Sequence, residues 1–428
     1  MLRKIIVAVL TLIVSFSSFA QKNNTSAYSI FGIGDKNNVN TVEQLGMGGM
    51  GVSFSDPYHL NFSNPASVAS LSFTTYAIAL ENSNRQVDNG VDKQSAAATY
   101  LSYLAMGIPL GEKGGFTFGL LPNSSVGYSL TSNEYDASDE LTEITLYNGD
   151  GGTNKVFLNF AYKPFKGFSV GVQGNYVFGK IDNNIISQRA GAPLATKYET
   201  VSNLKGHSIN IGFQYETKLT EKVDLSLGAA FDLSNTINAD GDEYFYSVAL
   251  TSFESPRDTI LSRSTDGKFK SPLKSSFGAG IGKKNKWFAG VDYSFQKALE
   301  FEGNVFTNNT KIAYDDFSKI AVGGFYTPKF NSITSYWDRV TYRAGLKYEK
   351  TGLAVNGDGV GTDFTAVDDF GISFGVGLPL SKQLSNINFG FEFGKRGKAN
   401  SDLVKENYFN FRLSLSLNDR WFKKLEIF

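Results

Sequence analysis

The sequence contains no cysteine, only two histidines and only 10 prolines in 428 residues. The absence of cysteine excludes disulfides, thiolate chemistry and lipidation at a processed cysteine. His59 and His207 lie far apart in the chain, so neither a Ser-His pair nor a histidine metal site is indicated. We therefore expect no enzymatic activity, no metal and no cofactor. After residue 20 no run of 18 apolar residues occurs, which argues against membrane-spanning helices.

An excess of charge of one sign is also lacking, because 41 basic residues face 41 acidic ones. Arg3 and Lys4 precede an apolar run from Ile5 to Val14, and Ser18-Phe19-Ala20 supplies small residues for cleavage. This order predicts a secretory signal peptide over residues 1–20. Without the leader the net charge is about −2. Such a chain offers no basic surface for nucleic acid.

Glycine and aromatic residues are abundant, with 44 Gly and an aromatic share of 14%. In the last regular segment two sets of residues alternate, one apolar (Phe409, Phe411, Leu413, Leu415, Leu417) and one polar (Asn410, Arg412, Ser414, Ser416). A strand places such sets on opposite faces. Similar segments begin near Phe73, Ser95, Phe116, Lys155, Phe168, Ser208, Val223, Ser275, Trp287, Ser318, Arg339, Gly371, Ile387 and Tyr408. The pattern predicts about fourteen strands.

The connections between these segments alternate in length. Short ones cover 109–115, 163–167, 217–222, 283–286 and 379–386, and long polar ones cover 131–154, 181–205, 236–272 and 350–369. Tight periplasmic turns and long extracellular loops are typical of outer-membrane barrels, whereas a soluble sandwich has no reason to sort its loops. We predict an all-β fold, a 14-stranded antiparallel transmembrane β-barrel over residues 72–418, with a periplasmic tail at 419–428. Three tryptophans fall at the periplasmic rim, where an aromatic girdle is expected: Trp287, Trp337 and Trp421.

The rows predicted to face the lumen are small or polar, and one of them is basic. Arg339, Arg343 and Lys347 recur every fourth residue before and within "YRAGLKYEK". Two interpretations are open. These cations pair in a buried network with carboxylates of other inward rows, among them Asp292, Glu392 and Glu216, or they form a site for an anionic head group. Arg412 belongs to the same inward-facing set.

The third strand, "GFTFGLLPNSSVGY", has an interruption at Pro122, which has no N–H for a sheet ladder. Gly119, Leu121 and Pro122 therefore mark either the end of the strand or a lateral gap in the wall. Acidic, glycine-rich pieces at 148–154, 238–243 and 356–363 are interpreted as turns in extracellular loops rather than as calcium loops, because they lack the glutamate spacing of an EF-hand.

A short stretch ahead of the barrel carries a family resemblance. Its features are a glycine-rich patch, a short acidic segment, Asn-Pro-Ala and a leucine: Gly46, Gly48, Gly51, Asp56, Asn64, Pro65, Ala66 and Leu71. Residues 45–71 and the fourteen-strand pattern resemble the long-chain fatty-acid transporter (FadL-type) family of outer-membrane proteins. The glycines also match Gly-x-Gly-x-x-Gly, but no strand precedes them and no helical βαβ unit follows, so a dinucleotide site is not expected.

The resemblance implies an N-terminal hatch over residues 21–71 inside the barrel and a lateral gap near Pro122. It implies passive uptake of a hydrophobic or amphipathic, fatty-acid-like molecule across the outer membrane of a Gram-negative cell. Similar barrels, such as PorV-type subunits of type IX secretion, do not transport. The alternative is therefore an accessory barrel of a larger outer-membrane secretion or barrel-assembly complex. Expected partners are outer-membrane lipid, with either a hydrophobic ligand or such a complex.

Overall fold

A computed structural model describes residues 24–90, 93–250, 254–303, 312–356, 363–380, 385–399 and 403–421. The predicted signal peptide at 1–20 and residues 422–428 of the predicted tail lie outside these ranges. Among the described residues, no helix has both the length and the apolar character needed to cross a membrane.

Strands dominate the described chain. Ten strands are continuous: β1 Thr74–Asp88, β2 Lys93–Leu110, β3 Gly114–Tyr135, β4 Leu141–Phe165, β5 Phe168–Arg189, β6 Ala195–Lys218, β11 Thr341–Val355, β12 Thr365–Pro379, β13 Asn386–Arg396 and β14 Lys405–Asp419. Four consist of two pieces: β7 Asp224–Asp232 and Asn235–Leu250, β8 Glu254–Ser271 and Lys274–Lys283, β9 Trp287–Gln296 and Glu300–Gly303, β10 Ile312–Tyr314 and Phe317–Tyr326.

Each strand pairs antiparallel with the strands before and after it in the chain. The last strand closes the circle, because β14 pairs with β1 from Lys405↔Asp88 to Asp419↔Thr74. The predicted 14-stranded antiparallel barrel is confirmed. One rim, the short-turn rim, carries the connections 111–113, 166–167, 219–223, 284–286 and 327–340.

The two faces of the wall differ in chemistry. In β14 the polar residues Asn410, Arg412 and Ser414 are buried, while Phe411 on the other face is half-buried. Large apolar residues are exposed on the outside of the other strands, for example Leu158 55%, Phe160 52%, Val322 48%, Phe374 49% and Phe393 53%. This outer band, the apolar belt, is the surface that a lipid bilayer covers.

The predicted long loops are wrong in three places. Residues 131–154, 181–205 and 236–272 lie mostly in paired strands, joined by connections such as 136–140 and 190–194. In these extensions the inner face mixes buried apolar residues such as Ile186, Leu204 and Val248 with polar ones, so they lack the regular alternation that identifies a strand in sequence. The predicted turn pieces at 148–154 and 238–243 therefore lie inside β4 and β7, and residues 357–362 of the third piece lie outside the described residues.

The N-terminal segment, residues 24–73, packs against inward-facing barrel residues. Its only α-helix in the described residues, Val42–Leu45, begins with a capping box between Thr41 and Gln44. The 3-10 helix Pro65–Ser70 begins at Asn64, whose side chain accepts a bond from the Ala66 N–H. Asn64 Nδ2 also donates to the carbonyls of Val52 (2.8 Å) and Phe213 (3.0 Å). One side chain thus shapes the Asn-Pro turn and ties it to the barrel wall.

Candidate functional site: a split in the wall and the lumen beside it

The ladder between β2 and β3 is incomplete. It runs only from Leu104↔Leu120 to Leu110↔Gly114. Above that point, residues 93–103 of β2 pair with β1 alone among the described residues. The wall is therefore split between β2 and the upper part of β3.

Local sequence explains why β3 leaves the wall at this height. The β3–β4 register shifts between Pro122 and Ser124, next to the residue that lacks an N–H. Opposite this shift, Gly151 and Gly152 have φ of 108° and 135°. A Cβ on Gly152 would lie 2.3 Å from the carbonyl oxygen of Ser124. From Ser124 to Tyr128 every residue is buried, so alternation is lost and both faces of this stretch are covered.

The N-terminal segment occupies the edge that β3 exposes. Asp35 and Lys36 form a two-residue strand paired with Ser125 and Ser124, and the N–H of Asn37 donates to the carbonyl of Asn123 at 3.0 Å. Further along the edge, Asn24 Nδ2 donates to the carbonyl of Ser125 at 3.1 Å. The N–H of Gly127 donates to the hydroxyl of Ser29 at 3.2 Å. These bonds replace part of the missing β2–β3 ladder.

A lumen cavity of about 160 Å³ reaches both edges of the split, since Tyr100 and Ser102 of β2 and Pro122 and Ser125 of β3 line it. Its lining has two chemical characters. One part is apolar or aromatic (Phe31, Ile33, Phe269, Leu299, Phe301, Tyr314, Phe317), and the other is charged (Asp35, Lys36, Glu81, Arg85, Lys347, Glu349, Asp369, Arg396). The cavity is amphipathic.

Most of the charges in that lining are paired. Lys347 Nζ lies 2.8 Å from Glu392 and 3.3 Å from Asp369. Arg412, only 1% exposed in its side chain, lies 2.6 Å from Glu392 and 2.9 Å from Glu81. Two further pairs join the N-terminal segment and β1 to the last strands: Arg396 with Asp35 at 2.8 Å and Arg85 with Glu406 at 2.8 Å. A connected ion-pair network therefore crosses the barrel interior.

Lys36 differs from these cations. Its Nζ contacts the side-chain oxygen of Gln296 at 3.4 Å inside the barrel. Burial within the barrel, with repulsion from Lys274, lowers the pKa of Lys36 to about 8.

The glycine-rich part of the N-terminal segment is bound to the opposite wall. Asp292 accepts the N–H groups of Gly51 (2.6 Å) and Val52 (2.8 Å) through one carboxylate oxygen. The N–H of Gly48 donates to the Ser373 hydroxyl at 2.8 Å. Gly48 has a φ of 75°, and a Cβ there would lie 2.6 Å from the Leu346 carbonyl oxygen. Only glycine allows this approach without strain.

A second cavity, about 760 Å³, lies at the short-turn rim. It is lined by Arg339 and Arg343 together with His59 and Asp56, whose Nδ1 and Oδ1 are 3.3 Å apart. Burial disfavours both charges, yet the attraction between the two groups outweighs it: the pKa of His59 is raised and that of Asp56 is lowered.

The predicted lumen residues do not form one stripe. Arg339 lies in the 3-10 helix Trp337–Arg339 rather than on a strand, 5.3 Å from the ring centroid of Tyr336. Arg343 donates to Asn388 at 3.1 Å, and Asn388 donates to Glu43 of the N-terminal segment at 2.7 Å. Glu216 is exposed and lies outside the ion-pair network of Lys347 and Arg412. The expected basic row thus divides between a paired network and the rim cavity.

Other predicted residues fall into three places. Gly119 and Leu121 flank the point where the β2–β3 ladder ends, and Ala66 and Leu71 are buried inside the barrel. Trp287 begins β9, Trp337 lies in the connection 327–340, and Trp421 packs on Tyr76 with centroids 6.1 Å apart, all at the short-turn rim. Their role as an aromatic girdle stays a prediction.

Sequence reasoning missed several interior groups: Asn24, Ser29, Asp35, Glu81 and Glu406. Two of them had a usable signal. Glu406 shares the even-numbered positions of the inward row in β14, and Glu81 shares the odd-numbered inward row of β1. The other three belong to an irregular stretch, where no periodicity assigns a direction.

Three solved structures share this architecture. The monoaromatic hydrocarbon channel CymD is 13% identical over 92% of this chain and all of that one, with a TM-score of 0.59. The toluene transporter TodX of Pseudomonas putida is 14% identical over 91% of this chain and 100% of its own, with a TM-score of 0.58. A FadL homologue of Pseudomonas aeruginosa is 12% identical over 90% and 98%, with a TM-score of 0.56. No curated protein matches the sequence.

The fold and these likenesses define the class of the protein as an outer-membrane β-barrel with the fold of CymD and TodX. A family model gives a narrower assignment than the fold does. The model of the BamG family matches residues 1–427, so the chain belongs to the BamG family.

Proposed function

We propose that the protein passes small amphipathic molecules from its lumen sideways through the split between β2 and β3. The observation that carries this proposal is the cavity that touches both open edges, through Tyr100 and Ser102 on one side and Pro122 and Ser125 on the other. A molecule held there lies next to the gap.

The height of the split suits an amphipathic passenger. Pairing ends at Leu104↔Leu120, and Leu120 pairs on its other side with Val156, which is 47% exposed in the apolar belt. The next outward-facing residue of β4 is the polar Asn154. The gap therefore opens where the apolar belt meets a polar surface. A molecule with an apolar body and a polar end is stabilised at such a boundary.

Cavity size favours a ring or a short chain over a long acyl chain. The cavity measures about 160 Å³, and an apolar cavity of about 150 Å³ holds one benzene molecule. Phe269, Phe301 and Tyr314 offer ring faces, and the charged lining offers partners for a polar substituent. Channels of similar fold are described as passing monoaromatic hydrocarbons or toluene, which supports the same size class here.

In this proposal the N-terminal segment acts as a hatch that blocks the direct path to the short-turn rim. Gly48, Gly51 and Val52 fix it to the wall through Ser373 and Asp292. The pairing of Asp35 and Lys36 with β3 holds its other end beside the split. Opening at β3 needs this short strand and its Asp35–Arg396 ion pair to shift, whereas the direct path needs the anchors at Ser373 and Asp292 to break.

A disulfide lock tests the proposal. Lys36 and Ser124 are directly paired, a position compatible with a disulfide, and the cysteine-free chain gives no background. The Lys36→Cys, Ser124→Cys double variant is placed in vesicles whose outer leaflet is lipopolysaccharide, and entry of labelled toluene and labelled palmitate is followed. We expect the oxidised variant to admit toluene more slowly than its reduced form and than each single-cysteine control. The proposal is contradicted if the reduced variant admits toluene no faster than protein-free vesicles do, or if oxidation leaves toluene entry unchanged.

A second candidate function is an accessory barrel within a larger outer-membrane complex. It is favoured by the ion-pair network, because Lys347, Arg412 and their carboxylates fill the interior with paired charges rather than an apolar path. Membership of the BamG family rather than a match to a curated transporter agrees with it. Mild detergent extraction from native membranes followed by native mass spectrometry decides it. A stoichiometric partner is expected, and a monomer alone contradicts this candidate.

A further inference from the structure

The upper part of β2 is an open strand edge. Residues Lys93–Tyr103 pair with β1 on one side, and the part of the chain that the structure describes supplies no strand on the other. Alternate residues of such a strand direct an N–H and a carbonyl away from the sheet. A fully closed barrel has no edge of this kind, and an open edge is a template for another strand.

Lipid does not cover this edge. Above the Leu80↔Leu101 pair, the outward side chains on both sides of the β1–β2 ladder are polar or small, namely Asn82, Asn84, Gln86, Ser95, Ala97 and Thr99. Asn82 Nδ2 donates to the Thr99 hydroxyl at 2.7 Å across the outer face. Residues Lys93–Ala97 are exposed. The edge therefore rises above the apolar belt into water.

The sequence of the edge does not protect it. Natural edge strands carry charges, prolines or bulges that prevent pairing with other chains. Between Gln94 and Leu101 the edge has neither a charge nor a proline, and the one irregularity in its ladder is at the lower end, where Ala79↔Tyr103 is followed by Leu80↔Leu101. The small side chains of Ala96, Ala97 and Ala98 leave room for a neighbouring backbone.

The facing edge of the same split already takes an added strand. Asp35 and Lys36 pair with Ser125 and Ser124, and Asn37 continues the contact to Asn123. This addition ends within a few residues and lies on β3, so it leaves β2 uncovered. The gap accepts an extended backbone at β3, and among the described residues no strand is added at Lys93–Tyr103 of β2.

We propose that an extended, uncharged segment of another polypeptide adds as a strand to the β2 edge at Lys93–Tyr103. Its main chain pairs with the alternate free groups of β2. Its inward-facing side chains lie beside Tyr100, and its outward-facing ones lie in water beside Ser95, Ala97 and Thr99. The added strand lies in the same split as the proposed exit path, beside Tyr100, so strand addition and uptake are measured separately and either can fail alone.

Photo-crosslinking in living cells tests the mode of binding. A photoreactive p-benzoylphenylalanine replaces Ser95, Ala97 or Thr99 in turn, in the full chain, and adducts are sequenced by mass spectrometry. Strand addition predicts that the three positions capture one polypeptide at residues spaced two apart and in a single direction. The control position is Asn154, which is outward-facing and exposed on β4, where both sides are paired. We expect no such register there.

Proline substitution separates the edge from the fold. Ala96 and Ala97 are successive residues opposite Arg85 and Asn84, so one directs its N–H to β1 and the other to the open edge. Hydrogen exchange of β1 is measured in Ala96→Pro and in Ala97→Pro. The substitution that speeds this exchange identifies the residue whose N–H bonds to β1. The variant with unchanged β1 exchange is expected to lower capture from Thr99 roughly tenfold, since it removes one main-chain donor and adds a clash.

Three outcomes overturn the proposal. The first is capture from Thr99 that is unchanged in the proline variant that keeps β1 intact. The second is a set of adducts without a two-residue register. The third is adducts with lipid alone, which would assign the upper split to the membrane. Uptake of toluene in the same cells reports separately on the transport proposal.

Discussion

Two parts of the barrel wall differ in where their strands and inward polar groups find hydrogen-bonding partners. Along β13, β14 and β1 the ladder is complete, with β14 paired from end to end with β1. Its inward polar groups are satisfied by neighbouring strands, as in Arg412 with Glu81 and Glu392. Along β2 and β3 the ladder stops at Leu104↔Leu120, and the N-terminal segment supplies the partners for β3.

The difference shows what holds each part in place. Where the wall is closed, ion pairs between its own strands fix the interior, and the N-terminal segment adds contacts from Asp35 to Arg396 and from Glu43 to Asn388. Where it is open, the position of β3 depends on a separate segment that reaches it through Asn24, Ser29 and Asp35–Asn37. The closed part is expected to be stable and static. The split is the part whose shape another segment can change.

The largest expected effect is in the closed part. Arg412→Met should lower the free energy of unfolding by about 3–5 kcal/mol, because Glu81 then stays buried without its cation. Denaturant unfolding followed by tryptophan fluorescence measures the change. Hydrogen exchange at Asp35–Asn37 should be unaffected under native conditions, since the backbone of these residues pairs with β3 and the ion pairs of Arg412 are with Glu81 and Glu392.

Lys180→Met is the matched control for this prediction. Its ion pair with Asp182 is 3.0 Å long but exposed, with side-chain exposures of 56% and 40%. The expected cost is less than about 1 kcal/mol. Equal effects of the two substitutions would show that burial of the network in the closed part does not matter, and the contrast between the regions would be lost.

A smaller effect is expected at the split. Gly152→Ala places a Cβ 2.3 Å from the Ser124 carbonyl oxygen at a φ of 135°. We expect a loss of about 1–3 kcal/mol. The strain lies at the bend of β3, so exchange at Asp35–Asn37 should become faster, unlike in Arg412→Met. Exchange mass spectrometry and denaturant unfolding on the same sample measure both quantities.

Gly174→Ala provides the comparison, because Gly174 on β5 has open space around its Cβ position and no positive φ. It should change stability by less than about 0.5 kcal/mol. If Gly152→Ala leaves the exchange of Asp35–Asn37 unchanged, the bend in β3 is not what positions the N-terminal segment.

The sequence predicted the closed part of the wall well, because alternation reports directly on a surface with lipid outside and polar groups inside. It placed Pro122 at the bend for a sound physical reason, the missing N–H. It did not predict the strand extensions, since their inner face mixes apolar residues such as Ile186 and Leu204 with polar ones and gives no regular apolar period. Residues 148–154 were interpreted as a turn for that reason, although they lie in β4.

The sequence does not predict where the β2–β3 ladder ends or which residues cover the open edge of β3. A pattern of alternation shows that a strand exists but not where its ladder ends, and the ladder here ends because Gly151 and Gly152 let β3 bend. The partners of the β3 edge come from 24–37, which has little regular structure. The inward positions of Glu81 and Glu406 were available from parity, whereas the bond from Asn24 to Ser125 depends on a fold that only the whole chain defines.

The smallest effect is expected where the N-terminal segment meets the short-turn rim, at His59 and Asp56. Burial opposes the imidazolium, but Asp56 and Glu43 raise the pKa of His59 above its usual 6.5. The stabilisation from the charged pair is therefore complete below pH 6.5 and is lost as the pH rises through the raised value. The pKa of Asp56 is lowered, so its charge persists over this window and the response belongs to His59.

Protection of residues 56–61 against hydrogen exchange, corrected for the intrinsic rate, should fall above pH 6.5 in the native protein and stay level in His59→Gln. A fall of the same size in both proteins would assign it to another group, while a change that also reached Asp35–Asn37 would show that the rim and the split act as one unit rather than as two.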